Sequence, residues 1–299
     1  MKILVCDKTE QEAVDAMRAA GLAVDVRDDI TPEELMKTLP AYEGMVVRSR
    51  TKVRQALIDA CPKLRVIVRG GVGLDTIDAE YARSKGITVM NTPLASSASV
   101  AELTIGYMFA LARSIVQASA SMKSGKWEKK NFEGDELGGK TLGLIGVGNI
   151  GREVARRAAA LGMTVIAYDP YVQSVQGVQM VELDALLANS DYISLHLPKT
   201  KESANMIGPD QISRMKKGVR IINCARGGII DEGALYDALV GGQVAGAALD
   251  VYAEEPPSDW KLARLPNVIC SPHIGAATRE AQGRVGAEVA EKLIAFSKE

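Results

Sequence analysis

The stretch Thr141-Leu142-Gly143-Leu144-Ile145-Gly146-Val147-Gly148-Asn149-Ile150-Gly151-Arg152 decides the fold. A short apolar run passes directly into glycines spaced G-x-G-x-x-G, and a helical pattern carrying Val154 and Ala155 follows. A dinucleotide-binding turn needs this order. Gly146 permits the tight turn, Gly148 lets the backbone approach a pyrophosphate, and Gly151 lets helix and strand pack closely. Asn149 and Ile150 open the helix, whose unpaired N–H groups and dipole favour an anion. Asp169 stands 18 residues beyond Gly151, at the end of the run TVIAY (164–168). A carboxylate there accepts from an adenosine ribose and repels a 2′-phosphate, so the expected cofactor is NAD rather than NADP.

Outward from this turn, Val- and Ile-rich runs alternate with helical patterns along the whole chain. KILVC (2–6), AVDV (23–26), MVVR (45–48), RVIVR (65–69) and ITVM (87–90) read as buried strands, with helices expected at about 9–20, 32–39, 53–60 and 76–85. A second series comprises TLGLIG (141–146), TVIAY, YISLHL (192–197), VRIINC (219–224), AGAALDV (245–251) and NVIC (267–270). Its helices are expected at about 150–161, 182–189, 210–216 and 231–241, with a final helix after Pro272. Continuous rather than alternating apolar strands imply parallel sheets covered on both faces. The expected class is therefore α/β, with two doubly wound parallel-sheet domains meeting near residues 91–100. One long helix is expected over 96–124, apolar nearly all round and suited to bridging or subunit packing.

Composition excludes other classes. The chain has 299 residues, 36 Lys+Arg against 37 Asp+Glu, and 47% hydrophobic residues. That balance gives no basic footprint for nucleic acid or an anionic membrane. No apolar run is long enough to span a bilayer, and MKILVCD lacks a leader pattern. Cys6, Cys61, Cys224 and Cys270 are scattered without metal-ligand spacing, so they are expected to be buried, reduced thiols in a cytoplasmic protein, with no metal bound. Any histidine chemistry must use His196 or His273, the two present.

Several strand ends carry candidate chemistry. Gly71-Val72-Gly73-Leu74-Asp75-Thr76 follows RVIVR and serves either as a tight turn or as a backbone nest for a carboxylate. Arg226, after VRIINC, is either a surface charge or a fork for the coplanar carboxylate and carbonyl of a 2-oxo acid. Glu255 and His273 follow the next two strands. Their plain reading is a solvated loop and a surface histidine; paired, they make an acid-base group. His196 reads as a structural core histidine. Arg48 and Arg50, two apart at the end of MVV, are expected to converge on one phosphate from the same side of the strand, with solvated loop charges as the alternative.

Together, LGLIGVGNIG (142–151), AYDP (167–170), INCARGGIIDE (222–232), ALDVYAEEPP (248–257) and SPHIGAAT (271–278) resemble the D-2-hydroxyacid dehydrogenase family over essentially the whole chain. VRSRTKV (47–53), RGGVGLDTID (69–78) and NTPLASSASVAEL (91–103) point within it to the branch that oxidises D-3-phosphoglycerate; a glyoxylate or hydroxypyruvate reductase and a NAD-sensing corepressor are alternatives. The resemblance implies a catalytic triad of Arg226, Glu255 and His273. It implies cofactor contacts at Gly146, Gly148, Asn149, Ile150, Gly151, Asp169, His196, Leu197, Pro198, Cys224, Ala225, Arg226, Asp250, His273, Gly275 and Ala276. Substrate contacts are expected at Arg48, Arg50, Gly71, Val72, Arg226 and His273, with the carboxylate on the backbone N–H groups of Gly71 and Val72. It also implies a flavodoxin-like substrate domain, 1–92 plus 272–299, interrupted by a Rossmann domain, 93–271. The active site is expected in the cleft between them, with a homodimer formed through 96–124. Many members of this branch carry a C-terminal serine-sensing domain; the sequence here runs to Glu299, and serine regulation is expected to be absent.

Overall fold

The computed structural model describes residues 1–298, and its backbone falls into two units, Met1–Ser97 with the segment from Ala276 on, and Ala98–Gly275. The first unit contains β1 (Lys2–Val5), α1 (Gln11–Ala19), β2 (Ala23–Val26), α2 (Pro32–Thr38), β3 (Gly44–Val47), α3 (Gln55–Asp59), β4 (Val66–Arg69), α4 (Ala79–Ser84) and β5 (Thr88–Asn91). Its strands are parallel in the order β2-β1-β3-β4-β5, the flavodoxin-like arrangement. Side-chain alternation sends Leu4, Met45, Val47 and Ile67 against Leu35, Leu57 and Ala82 on one face. Ile3, Val5, Val46, Val66 and Val68 pack with Val14 and Met17 of α1 on the other. Both faces are covered, so the strands read as unbroken apolar runs, each fully buried side chain contributing roughly 1.5–3 kcal/mol. α2 starts at a capping box, in which the Thr31 hydroxyl accepts from the Glu34 N–H and the Glu34 carboxylate from the Thr31 N–H; Pro32 in the first turn is pre-set for the helix.

The second unit contains α5 (Ser97–Ala112, entered from the last residue of the first unit), α6 (Ile115–Lys123), β6 (Thr141–Ile145), α7 (Asn149–Ala160), β7 (Thr164–Tyr168), β8 (Gln179–Met180), α8 (Leu183–Asn189) and β9 (Tyr192–Leu195). α9 (Pro209–Ser213), β10 (Val219–Asn223), α10 (Glu232–Val240), β11 (Val244–Leu249) and β12 (Val268–Cys270) complete it. The sheet order is β12-β11-β10-β9-β6-β7-β8, all parallel. Winding reverses between β6 and β9, and the crevice beyond the carboxyl ends of such a pair is where ligands bind in open α/β sheets. The closing helix α11 (Arg279–Phe296) belongs to the first unit, where Val285, Val289, Ala290 and Leu293 join α1 over the sheet.

Two expectations need correction. The single helix over 96–124 is two helices bent by 65°. Ser114 adopts φ 48° between them, and the Ala112 carbonyl that would continue the ladder instead accepts from the Asp135 N–H at 2.9 Å. A left-handed residue ends a helix, and a serine gives no glycine-like warning. Of the four thiols, Cys6, Cys61 and Cys224 are buried but Cys270 is exposed, because β12 is the outermost strand. Burial pushes the Cys6 and Cys224 thiols up to about 12, which leaves them unreactive. Among the described residues no cluster of three or more His, Cys, Asp or Glu could hold a metal, and no single helix is long and apolar enough to cross a membrane.

Candidate active site

The glycine turn lies where β6 meets α7. Gly146 has φ 95°, and a Cβ there would stand 2.5 Å from the His196 carbonyl oxygen, so only glycine lets the turn pass beside the end of β9. Around Gly148 the situation is opposite: a Cβ would meet nothing within 4 Å. Gly148 and Asn149 are exposed at the start of α7, leaving open space at the helix's positive end. Asp169 follows β7 and accepts from the Val147 and Tyr171 N–H groups, each at 2.9 Å. Its carboxylate is thus fixed against the glycine turn. Ile150 is half-buried and Gly151 buried in the first turn of α7. A helix N-terminus with room before it, beside a strand-end carboxylate, fits the diphosphate and ribose of NAD.

His196 borders the same turn. Its Nε2 lies 2.9 Å from the Ser194 hydroxyl, while Nδ1 is buried with no hydrogen-bond partner. Burial pushes its pKa down from 6.5 to about 3. The folded chain therefore keeps this ring neutral while the unfolded chain takes up a proton below pH 6.5. Stability conferred by the neutral ring is complete above pH 6.5 and is lost as pH falls toward 3. Between pH 6.5 and 5 that loss is about 1–2 kcal/mol. Denaturant titrations at both pH values should show His196→Gln falling less steeply than the parent; parallel decline would mean His196 is protonated in the folded protein. Leu197 and Pro198 continue the loop, with the Pro198 carbonyl accepting from Ser203 Oγ at 2.7 Å.

The loops after β10, β11 and β12 bring Arg226, Glu255 and His273 into one region. Asn223 shapes the first: its Oδ1 accepts from the Ala225 N–H at 3.0 Å and its Nδ2 donates to the Arg226 carbonyl at 2.9 Å. Cys224 and Ala225 are buried below, whereas Arg226 is partly exposed and donates to the Ala225 carbonyl at 2.7 Å. A Cβ at Gly227 would fall 1.6 Å from the Tyr252 carbonyl oxygen. The two loops touch backbone to backbone, and this contact sets Arg226 near Glu255.

Glu255 accepts from the Tyr252 N–H at 3.1 Å and from His273 Nδ1 at 2.7 Å. Burial opposes its charge, but the His273 hydrogen bond, the Tyr252 amide and the Arg226 guanidinium together hold its carboxyl below the usual range. A carboxylate only accepts, so Nδ1 carries the hydrogen and Nε2 is the free acid-base atom. His273 is exposed, with φ 53°. Asp250, expected beside the cofactor, is 1% exposed and turns both oxygens to the loop that follows: Ile274 N–H at 2.8 Å and Gly275 N–H at 2.7 Å.

In the first unit, the structure separates the two candidate phosphate arginines. β3 ends at Val47, so strand alternation does not reach residue 50, and the expected convergence fails. Arg50 donates to Asp7 at 3.1 Å and to the carbonyls of Cys6, Asp28 and Ile30. Arg48 is half-buried, its guanidinium donating to the Gln282 side chain and to the Lys8 carbonyl at 3.4 Å. Asp7 organises this corner: it is 3% exposed and also takes the Arg48 and Thr51 N–H groups at 2.5 and 3.2 Å. Gly71 needs a second correction. Its N–H donates to Thr92 Oγ1 at 2.8 Å, so of the two expected carboxylate donors it is already engaged. Val72 lies half-buried in the same turn, its carbonyl accepting from Asn91 Nδ2 at 2.5 Å. The Ala276 carbonyl accepts from Gln282 Nε2 at 2.7 Å.

Asp7 and Thr92 escaped the sequence reading. A usable signal existed for Asp7, which follows a strand as Asp169 and Asp250 do; all three accept backbone N–H groups from a neighbouring loop.

A parallel sheet with a glycine turn at its switch point, and an acid-base pair beside an arginine at neighbouring strand ends, define a nucleotide-dependent oxidoreductase architecture. Residues 105–275 match the NAD binding domain of the D-isomer specific 2-hydroxyacid dehydrogenases, and the chain belongs to that family. It is 50% identical over 303 residues to D-3-phosphoglycerate dehydrogenase of Archaeoglobus fulgidus, covering 100% of this chain but 58% of that protein. It is also 50% identical over 296 residues to hydroxypyruvate reductase of Thermotoga maritima, covering 98% of this chain and 97% of that one. The crystal structure of D-lactate dehydrogenase from Aquifex aeolicus, complexed with NAD and lactic acid, superposes with a TM-score of 0.88 at 32% identity, over 100% of this chain and 97% of that chain.

Proposed function

We propose that this protein is a NAD-dependent D-2-hydroxyacid dehydrogenase that oxidises D-3-phosphoglycerate at C2 to 3-phosphohydroxypyruvate. The observation that carries the reaction type is the 2.7 Å contact between His273 Nδ1 and Glu255, which leaves Nε2 to take the hydroxyl proton. NAD, when bound, would supply the acceptor for the C2 hydride and its electron pair. Arg226 holds the substrate carboxylate and the C2 oxygen as it becomes a carbonyl. Glu255 orients His273 and balances the imidazolium that forms. The glycine turn, the start of α7 and Asp169 hold the cofactor, with the 196–198 and 224–226 loops and the 273–276 segment as further contacts.

Phosphate recognition falls to Arg48, the more buried of the two candidate arginines, with Arg50 acting through Asp7 as a support. Support for the phosphorylated substrate comes from the Archaeoglobus relative; the Thermotoga relative, matched over nearly its full length, supports reduction of hydroxypyruvate as the second reading. A panel of 3-phosphoglycerate, D-glycerate and D-lactate with NAD, and hydroxypyruvate and glyoxylate with NADH, separates them by kcat/KM. A higher value for the unphosphorylated acids overturns the first reading.

Selectivity for NAD is part of the proposal. Asp169 sets a negative charge where a 2′-phosphate would lie, and PYVQSVQ (170–176) brings no cation after it. kcat/KM should favour NAD over NADP by at least ~5-fold, since like charges a few ångströms apart repel by ~1 kcal/mol or more. Asp169→Ala should narrow that ratio; a parent enzyme preferring NADP would refute the assignment.

A homodimer through α5 and α6 completes the reading. Ile115, Val116, Met122 and Trp127 are 48–79% exposed, an apolar surface of the kind that marks association. Four thiols without a disulfide suit a reducing, cytoplasmic setting.

A further inference from the structure

His273 is neither a glycine nor an asparagine, yet it holds φ 53°, a conformation that persists only where the surroundings enforce it. The enforcement is visible. Asp250 Oδ1 accepts from Ile274 N–H at 2.8 Å and Oδ2 from Gly275 N–H at 2.7 Å, so one carboxylate grips two successive amides directly after the histidine. Consecutive amides converging on one anion are a backbone nest.

The carboxylate is itself held. Ser271 Oγ bonds to Asp250 Oδ1, and the Tyr107 hydroxyl bonds to Ser271 Oγ. A carboxylate oxygen can only accept, so the serine hydrogen points at Asp250 and the tyrosine hydrogen must point at the serine. The chain therefore has one direction: Tyr107 to Ser271 to Asp250. Tyr107, on α5, is 7% exposed and Asp250 1%, so water does not substitute freely for the Tyr107 hydroxyl or reach the Asp250 carboxylate in place of Ser271. Tyr252 braces the same corner, its hydroxyl donating to the Ser271 carbonyl at 3.0 Å while its N–H holds Glu255.

We propose that Tyr107 and Ser271 are positioning residues for His273, fixing Asp250 so that its grip on the Ile274 and Gly275 amides aims Nδ1 at Glu255. This rests on His273 being the acid-base group of the proposed reaction. Neither hydroxyl need touch substrate or cofactor to act. Their removal should lower kcat rather than raise KM, and should loosen two particular amides.

The test compares Ser271→Ala, Tyr107→Phe and Ser271→Thr with the parent, reading amide hydrogen exchange at residues 271–276 and steady-state reduction of hydroxypyruvate by NADH. The first two variants should exchange Ile274 and Gly275 at least ~10-fold faster and lose ~10-fold in kcat, the usual scale for one buried hydrogen bond, with KM within about twofold. Ser271→Thr, which keeps the hydroxyl, should restore both. Ser190→Ala is the control. Ser190 is buried at the end of α8 and its hydroxyl donates to the Leu186 carbonyl at 2.6 Å, outside the loops that carry Arg226, Glu255 and His273, so kcat should hold. Unchanged exchange in the first two variants, unchanged kcat, or an equal loss in Ser190→Ala each overturns the proposal. If the parent protein reduces no 2-oxo acid, the reaction assignment fails, while the exchange measurement still judges the positioning role.

Discussion

His273→Ala should retain the fold and NADH binding while losing at least ~10²-fold in kcat, the low end of what general acid-base groups contribute. The expectation follows from geometry: Glu255 fixes Nδ1 at 2.7 Å, so only Nε2 is left to exchange a proton with substrate. The loss should fall on kcat and kcat/KM alike, because this contact matters when the hydroxyl proton moves and little in ground-state binding. Glu255→Gln should lie between parent and His273→Ala, since an amide can still accept from Nδ1 but cannot balance a positive ring. Stopped-flow reduction of hydroxypyruvate, paired with an NADH fluorescence titration, separates chemistry from cofactor binding. Turnover near the parent's in His273→Ala would remove the histidine from the mechanism.

Arg48→Ala should weaken 3-phosphoglycerate selectively. Losing a charge-assisted bond to a phosphate amounts to about 1.5–3 kcal/mol, or ~10- to ~150-fold in affinity. Arg48 is already tethered to Gln282 and the Lys8 carbonyl, so its guanidinium is ordered before substrate arrives and gives up less freedom on binding. Activity with D-glycerate, which lacks the phosphate, should remain almost unchanged. Product formation from both acids measures the ratio directly. Equal losses on the two substrates would assign Arg48 to the packing of α11 against β3 and return the choice of substrate to the unphosphorylated acids.

The sheets were legible because parallel strands covered on both faces leave a strong signal: Ile3, Leu4 and Val5 are all buried, and the run KILV says so without ambiguity. Parallel pairing followed from the same unbroken rhythm, whereas the order of the strands within each sheet was visible only in the fold. What escaped notice depends on single contacts between distant residues. Nothing in Arg113-Ser114 announces a left-handed turn, because its cause is a carbonyl drawn to Asp135, on the approach to β6. Arg50 was misread because the two-residue rule holds only inside a strand, and β3 stops at Val47. β8, two residues at a sheet edge, is too short for any periodicity. The chemistry at Arg226, Glu255 and His273 was visible as residue types just past strand ends, but the reason they sit as they do lies in Gly227 against Tyr252 and in the grip of Asp250.

Asp7 gives the corner proposed here for phosphate an unusual susceptibility to drift. One buried carboxylate joins the end of β1 to the Arg48 amide, the Arg50 guanidinium and the Thr51 amide and hydroxyl. Replacements at positions 7, 50 and 51 therefore reach Arg48 through a shared hub, and their effects should combine non-additively. Substrate preference in a lineage built this way can be retuned from residues that never meet the substrate, and surveys confined to contact positions would overlook the mutations responsible.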